Sequence, residues 1–417
     1  MKGSSNFFIL PTRGHSRKDD RQEKLMRKIR NTKYEIRNTA FYFDYAAATP
    51  ISPRVLAAMQ PYFQQEFYNL SAVYLKAQKV NQAVNKARGE IAKILGAKPS
   101  EIIFTAGGTE ADNLAVSGVM QVFADKKPNC VVSAIEHEAV LEAAKQFNYK
   151  LAPVKKDGLV DLDKLKKLID EKTVLVSVML ANNEIGTVEP LAQIAKILAE
   201  IKVDRAKKGN DLPLYLHTDA SQAPNYLKLY VNTLGVDLMS LNAGKIYGPK
   251  ETGALYIKTG TKLEPLIRGG GQERGYRSGT PNSANIIGFA ESMKESTELR
   301  ELEVKRLGEI LNEAFKFIEK NLPKVVINGS RTNRLPNNLH ITIPGVDNER
   351  LMMELDEAGF MVATGSACSA SDDTSSHVLL ALGLTDEDAR SSLRITFGRV
   401  TKKDDVLALL KQVKALV

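Results

Sequence analysis

Short apolar runs alternate with amphipathic stretches along most of the chain after residue 41. Apolar residues recur three or four positions apart at Ala77, Val80, Val84, Ala87, Ile91 and Ile94, which predicts a helix with one buried face. Runs of strand length follow, separated mostly by helical patterns: EIIFTA, CVVSAI, TVLVSVML, LPLYLH, VDLMSL and GALYIK. This alternation predicts an α/β fold built on a mostly parallel sheet. Only a loop separates the last two runs, so we expect GALYIK to join the sheet antiparallel.

A glycine-rich segment, RGGGQERGYRSGTP at 268–281, ends this block. A long helical pattern over 284–321 follows, and then a smaller α+β region with NNLHITI and LRITFG as strands. The pattern of TKKDDVLALLKQV predicts a final helix with Thr401 as its N-cap and Asp404 in its first turn.

The net charge of +9 is concentrated at the start of the chain. Residues 1–40 contain eleven Lys or Arg and four Asp or Glu, so they carry +7 and leave +2 for the remainder. We therefore interpret 1–40 as a basic, disordered extension and do not expect direct nucleic-acid binding. A transit peptide is the alternative, but such peptides avoid the acids found at Asp19, Asp20 and Glu23.

The number of cysteines and the lengths of the apolar runs limit where in the cell the protein is expected. Two cysteines exclude a disulfide framework and favour a reducing compartment, so we expect a cytoplasmic protein. The longest apolar run, near TVLVSVMLA, is about half of the ~20 residues that a membrane span needs.

Cys130 opens an apolar strand and is expected to be buried. Cys368, in TGSACSASDD, has small and polar neighbours, which is typical of a reactive thiol.

Glycines and a threonine follow the strand EIIFTA, in the sequence GGTEADN. In open α/β sheets, ligands bind beyond the carboxyl ends of the strands. Gly108 and Thr109 at a helix start offer backbone N–H groups and a hydroxyl to an anion such as a phosphate. The alternative is an ordinary helix start capped by Thr109.

Polar residues also follow the next strands. His137 comes after CVVSAI, Asn183 after TVLVSVML, Asp219 after LPLYLH and Lys245 after VDLMSL. Each has a structural alternative: a packed histidine, an asparagine turn, a metal ligand or helix cap, and a lysine that reaches solvent. Taken together they match a pyridoxal 5'-phosphate (PLP) site, because this cofactor needs a phosphate cradle, a ring-stacking group, an acid for its ring nitrogen and a lysine amine for its aldehyde.

Ten ordered segments resemble the cysteine desulfurases of the NifS/IscS type, in the class V aminotransferase family of fold-type I PLP enzymes. The resemblance extends from about Tyr42 to the C-terminus. The segments are YFDYAAATPISPRVLAAM, EIIFTAGGTEADNLA, EHEAVLEA, VSVMLANNEIGTVEPL, HTDASQ, KIYGPKETGALYI, GGGQERGYRSGTPN, TGSACSAS, HVLLALGL and SSLRITFGR.

The resemblance implies an architecture and a set of roles. It implies a seven-stranded, mostly parallel sheet in a large PLP-binding domain over 52–299. A smaller α+β domain, formed by 41–51 and 300–417, would carry the Cys368 loop.

The resemblance also implies that the protein is a homodimer that desulfurates L-cysteine and passes sulfur from a Cys368 persulfide to an iron–sulfur scaffold or a thiolation enzyme. The implied site residues are Lys245 for the aldehyde, Asp219 for the ring nitrogen, His137 for stacking, Gln222 for the phenolic oxygen, Gly108, Thr109 and the partner's Thr280 for the phosphate, Arg394 and Asn183 for the substrate carboxylate, and Cys368 as nucleophile.

The residues before the lysine depart from the family pattern. The family usually has a serine and a histidine there, both of which contact the phosphate, whereas this chain has Asn242-Ala243-Gly244. We expect Asn242 to replace the serine, because its amide can donate. Gln272 similarly replaces a histidine. Three alternatives to desulfuration stay open: a selenocysteine lyase, a class V aminotransferase with another substrate, and a sulfur-relay or scaffold-binding protein with an impaired PLP site.

Overall fold

The computed structural model describes residues 41–365 and 375–417. Its strands are β1 (Phe41–Tyr42), β2 (Ile102–Thr105), β3 (Asn129–Ser133), β4 (Asn148–Ala152), β5 (Thr173–Ser177), β6 (Tyr215–Asp219), β7 (Leu238–Asn242), β8 (Gly253–Ile257), β9 (Val326–Ile327), β10 (Asn338–Thr342), β11 (Phe360–Met361) and β12 (Ser392–Thr396). Its helices are α1 (Pro53–Met59), α2 (Pro61–Gln64), α3 (Leu75–Leu95), α4 (Gly108–Val122), α5 (Glu138–Lys145), α6 (Leu162–Leu168), α7 (Leu191–Lys207), α8 (Val231–Leu234), α9 (Ser283–Asn321), α10 (Asn348–Glu357), α11 (His377–Ala381), α12 (Asp386–Ala389) and α13 (Lys403–Leu416). The predicted basic extension, 1–40, lies outside the described residues.

The large sheet has seven strands in the order β2-β8-β7-β6-β5-β3-β4. The strands from β7 to β4 are parallel, and β8 is antiparallel to both of its neighbours. The predicted α/β class and the antiparallel placement of GALYIK are therefore confirmed. The parallel strands bring the ends of β3, β5, β6 and β7 to one edge of the sheet, where the predicted polar residues follow.

Apolar side chains alternate between the two faces of this sheet. Ile102 and Phe104 belong to one hydrophobic cluster, and Ile103 between them belongs to another. Helix α3 packs its predicted apolar face into the first cluster, and α4 packs into the second. Cys130 is buried in the second cluster, as expected, and burial raises the pKa of its thiol to about 12.

A three-stranded antiparallel sheet, β12-β10-β9, supports the other end of the chain. It confirms the predicted strands NNLHITI and LRITFG, and it packs with α10, α13 and the second half of α9. Helix α9 continues without a break across residue 299: Phe289 and Met293 face the large-sheet core, whereas Leu307 and Ile310 face the small-sheet core. The division into 52–299 and 300–417 stays a prediction.

One local difference from the sequence expectations, at the start of α13, has a simple cause. Helix α13 begins at Lys403 with Lys402 at its N-cap, so the prediction of Thr401 as the cap is wrong. The Thr401 hydroxyl instead accepts a hydrogen bond from the Gly398 N–H at 2.9 Å, in the turn before the helix.

Among residues 41–365 and 375–417, no helix is both long and apolar enough to cross a membrane.

Candidate active site

The start of α4 forms one end of a cavity at the strand ends. Gly107 is the N-cap residue, and no side chain in the described part of the chain caps this helix. Thr109 lies inside the first turn, so its interpretation as the cap is wrong. A Cβ atom placed on Gly108 would lie 3.0 Å from Ser221 Oγ and 3.3 Å from Asn242 Nδ2. A hydroxyl, an amide and a helix N-terminus thus converge on one small volume, which suits a phosphate.

Asp219 ends the central strand β6 and lines the cavity. Its side chain is mostly buried, with 8% exposed, and Oδ1 accepts a hydrogen bond from the Ser221 N–H at 2.8 Å. This bond fixes the orientation of the carboxylate. A metal role has no support here, because the described residues contain no cluster of three or more His, Cys, Asp or Glu that could hold an ion.

Buried polar groups form a floor beneath Asp219. His217 bonds Ser177 Oγ through Nδ1 at 2.8 Å and Ser240 Oγ through Nε2 at 3.0 Å. Burial lowers its pKa to about 4, so the ring is neutral. Burial, and then the charge of Asp219, raise the pKa of the Asp112 carboxyl well above its usual range. The floor is therefore uncharged, and the Asp219 side chain lines the cavity beside it.

The buried neutral His217 makes a testable contribution to stability. The unfolded chain binds a proton at this histidine near pH 6.5, but the folded chain does so only near pH 4, so folding is penalised as pH falls through this window. We expect the wild-type protein, without added cofactor, to lose about 1 kcal/mol more unfolding free energy than His217→Gln between pH 6 and pH 5. Urea unfolding at both pH values measures this difference. Equal pH dependence in the two proteins would contradict the neutral assignment.

Lys245 ends a short 3₁₀ turn, Ala243–Lys245, directly after β7. Its Nζ donates to the Ala47 carbonyl oxygen at 2.5 Å, and its own carbonyl accepts from Asn225 Nδ2 at 3.1 Å. The Asn242 Oδ1 atom accepts from the Gly244 N–H at 3.0 Å. That bond directs the Nδ2 of Asn242 away from the turn, on the side of the α4 start.

The histidine and glutamine are also held by defined hydrogen bonds. His137 is the N-cap of α5, and its Nδ1 accepts from the Ala139 N–H at 3.0 Å. The proton of the neutral ring therefore lies on Nε2. His137 therefore caps α5 and also lines the cavity. Gln222 Nε2 donates to the Ala46 carbonyl oxygen at 3.0 Å.

Arg394 contributes a positive charge from the small sheet. It lies on β12 and is 2% exposed, and its Nη2 donates to Asp44 Oδ1 at 2.8 Å. Its Nη1 lies 3.5 Å from the Asn183 carbonyl oxygen. A buried guanidinium at the cavity wall suits a carboxylate ligand, because its planar donors match the geometry of that group.

These side chains line one cavity of about 230 Å³. Predicted site residues in its wall are Gly108, Thr109, His137, Asn183, Asp219, Gln222, Asn242, Lys245 and Arg394. The sequence interpretation did not assign Ala46, Ala47, Asp112, Met179, Ala181 and Ser221, which also line it. Ser221 could have been found, since it follows Asp219 at the same strand end, but an alanine that contributes only a carbonyl gives no side-chain signal.

Two predicted site residues are not in this wall. Thr280 is exposed and lines a different cavity of about 220 Å³, together with Arg277 and Asn285. Its predicted contact is with the site of a partner subunit, so this position agrees with that hypothesis but does not test it. Cys368 lies in 366–374, outside the described residues.

The cavity residues fit PLP. The cradle at Gly108, the fixed Asp219 carboxylate and the Lys245 amine have the chemistry that a phosphate, a ring nitrogen and an aldehyde require. Asn242 places an amide beside the cradle, where the usual serine is missing. The departure before the lysine is therefore compatible with cofactor binding.

Comparisons with known proteins agree with this chemistry. The profile of the family "Aminotransferase class-V" matches residues 41–409. The chain is 42% identical to the cysteine desulfurase IscS of Dictyoglomus turgidum over 370 residues, which are 88% of this chain and 91% of that protein. A solved NifS-like protein superposes with a TM-score of 0.82 at 32% identity, over 90% of this chain and 99% of that one. SspA, solved in complex with cysteine, gives 0.75 at 33% identity, over 87% and 99% of the two chains.

Proposed function

Because this chain belongs to the class-V aminotransferase family, and within it to the cysteine desulfurases of the IscS and NifS type, we propose that it converts L-cysteine to L-alanine and transfers the sulfur to Cys368. The observation that supports this most is the single cavity shared by Lys245, Asp219 and Arg394. It combines a lysine amine, a ring-nitrogen partner and a carboxylate receptor, and the first two are what PLP chemistry on an amino acid needs.

The cofactor, when bound, supplies an electron sink for the bonds at the substrate α-carbon. Asp219 would hold the proton on the ring nitrogen, and His137 would lie against the ring. Lys245 Nζ would take the proton from the substrate α-carbon. Arg394, with help from Asn183, would bind the substrate carboxylate, and Gln222 would hydrogen-bond the phenolic oxygen of the cofactor.

The ends of the Cys368 segment lie beside the cavity. The Ser376 hydroxyl donates to Glu184 Oε2 at 2.6 Å, and a Cβ on Gly365 would lie 4.0 Å from the same oxygen. Glu184 directly follows Asn183, which lines the cavity. Cys368 is three positions after Gly365, and an extended chain of that length spans about 10 Å. This reach supports Cys368 as the group that meets the substrate.

Cys368 would act as a thiolate on the sulfur of the substrate. Its Sγ forms the new S–S bond while the substrate C–S bond breaks, and the electron pair of that bond stays with the substrate carbon. Protonation of that carbon, together with return of a proton from Lys245 Nζ to the α-carbon, would complete alanine, and the persulfide on Cys368 would hold the transferred sulfur. An acceptor protein, either an iron–sulfur scaffold or a thiolation enzyme, would then take it in the cytoplasm.

A homodimer is part of this proposal. Between Leu56 and Leu75 the chain exposes a run of large apolar side chains, each more than half exposed: Leu56, Phe63, Phe67, Val73, Tyr74 and Leu75. Such a concentration on one short segment is typical of a surface covered by a partner. A second copy seated there would suit the proposed contribution of Thr280 to the neighbouring site.

The phosphate cradle gives a specific prediction. Asn242→Ala should weaken PLP binding by about 10- to 100-fold, because it removes a hydrogen bond to a charged group. Asn242→Asp should weaken it further, since an anion replaces the donor. Titration of the cofactor-free protein with PLP measures both, and pyridoxal, which lacks the phosphate, is the control ligand. If pyridoxal affinity falls as much as PLP affinity, Asn242 acts on the lysine turn and not on the phosphate.

The reaction itself is tested by product analysis. Purified protein with PLP, L-cysteine and a dithiol reductant should release alanine and sulfide in equal amounts. A keto acid in place of alanine would indicate transamination. Activity with selenocysteine, seen as release of selenide, without activity with L-cysteine would indicate a selenocysteine lyase. A folded protein that shows no PLP absorbance and releases no product would favour a sulfur-relay role.

A further inference from the structure

The short segment between β1 and α1 contacts both ends of the substrate-binding region. We define residues 44–49 as the strap. Asp44 Oδ1 accepts a hydrogen bond from Arg394 Nη2 at 2.8 Å, and the Ala47 carbonyl oxygen accepts from Lys245 Nζ at 2.5 Å. One continuous piece of backbone therefore joins the residue proposed to bind the carboxylate to the lysine proposed to act at the α-carbon.

Arg394, which contacts one end of the strap, is buried and has few partners. Arg394 is 2% exposed and Asp44 is 18% exposed. Among the residues that the structure describes, Arg394 Nε has no hydrogen-bond partner, and Nη1 has only the long contact to Asn183. Asp44 is thus the group that decides which edge of the guanidinium faces the cavity.

The lysine end of the strap is held by Thr49. Its hydroxyl donates to the Gly244 carbonyl oxygen at 3.0 Å and accepts from the Tyr247 N–H at 2.8 Å. Tyr247 has a φ of 63°, a left-handed conformation that is costly for a bulky residue. The Thr49 bonds help to keep the turn around Lys245 in this conformation.

The strap is also bonded to the strand that carries the arginine. The Ala46 N–H donates to Thr396 Oγ1 at 3.0 Å, and the Thr396 N–H donates to the Phe43 carbonyl oxygen at 2.7 Å. Because Thr396 and Arg394 both belong to β12, these bonds prevent the strap from sliding along the small sheet. The strap is therefore bonded both to the strand that carries Arg394 and to the side chain of Lys245.

We propose that Asp44 is a positioning residue that holds Arg394 at the distance from Lys245 required by an α-amino acid. This inference rests on the proposed function. In an α-amino acid, the carboxylate and the hydrogen that is removed are attached to the same carbon. The arginine that binds the carboxylate must therefore lie at a fixed distance from the lysine that removes the hydrogen. Orienting a reactant in this way contributes strongly to catalysis, and small displacements are costly.

Kinetics of Asp44→Asn test the proposal in the PLP-loaded full chain. We expect kcat/KM for L-cysteine to fall roughly 10- to 100-fold, mainly through a higher KM, while the Kd for PLP stays within about twofold of wild type. Asp44→Glu keeps the charge but moves it, and it should also raise KM. The matched control is Glu303→Gln, which breaks another buried ion pair, with Arg306 at 2.7 Å, and should leave KM unchanged.

Several results would overturn the proposal. An unchanged or lower KM in Asp44→Asn would show that Asp44 does not position Arg394 or that it competes with the substrate. A wild-type KM in Asp44→Glu would show that only the charge of residue 44 matters and not its position. A loss of PLP affinity in Asp44→Asn as large as the loss of kcat/KM would indicate a general structural role. If the wild-type protein releases no alanine, the proposed function fails, but the Kd for L-cysteine, measured from the absorbance of the bound cofactor, still decides whether Asp44 positions Arg394.

Discussion

Lys245→Ala should abolish the visible absorbance of lysine-bound PLP and lower alanine release by roughly 10⁴-fold or more, the upper range for loss of a general acid–base group. The reason is that, in the proposed function, Lys245 supplies both the amine that holds the aldehyde and the base at the α-carbon, and no other lysine lines the cavity among the described residues. Absorbance spectra and an alanine assay on the same preparation measure the two effects.

The control for this prediction is Lys228→Ala, which removes an exposed lysine from the segment after β6. It should keep the wild-type spectrum and rate. Substantial turnover by Lys245→Ala, with the protein folded, would show that the lysine has been assigned wrongly.

Cys368→Ala should still bind PLP and L-cysteine but release about 10²-fold less alanine, because the substrate sulfur has lost its acceptor. The loss is incomplete, since a small thiol in solution can attack the same sulfur slowly. Rapid mixing with L-cysteine, followed by absorbance and alanine measurement, separates binding from C–S cleavage.

The second cysteine provides a matched control for Cys368→Ala. Cys130 is fully buried, and its pKa near 12 keeps it protonated at neutral pH, so it cannot serve as the nucleophile. Cys130→Ala should lose some stability and retain alanine release. Normal alanine output from Cys368→Ala would exclude the persulfide route.

The sheet was predictable wherever its strands are buried on both faces. The six strand-length apolar runs correspond to β2, β3, β5, β6, β7 and β8. The periodicity did not reveal β4, because this edge strand contains Asn148 and Lys150 and is half exposed, so its composition resembles that of a loop. The count of seven strands came only from the family resemblance.

The site was predictable where a polar side chain follows a buried strand. Asp219 and Lys245 satisfy this rule, and the parallel topology then places them in one cavity. The strap could not be predicted in this way, because its contact with Lys245 uses a backbone carbonyl and its contact with Arg394 joins residues 350 positions apart. Neither kind of contact leaves a pattern in the sequence.

The most direct test of the central claim is a single turnover of the PLP-loaded protein with L-cysteine and no reductant. Alanine would be quantified, and the peptide that contains Cys368 would be analysed by mass spectrometry. We predict one alanine per active subunit and one additional sulfur atom on Cys368. Alanine release without sulfur on that peptide, or no alanine from protein that binds PLP, would contradict the account.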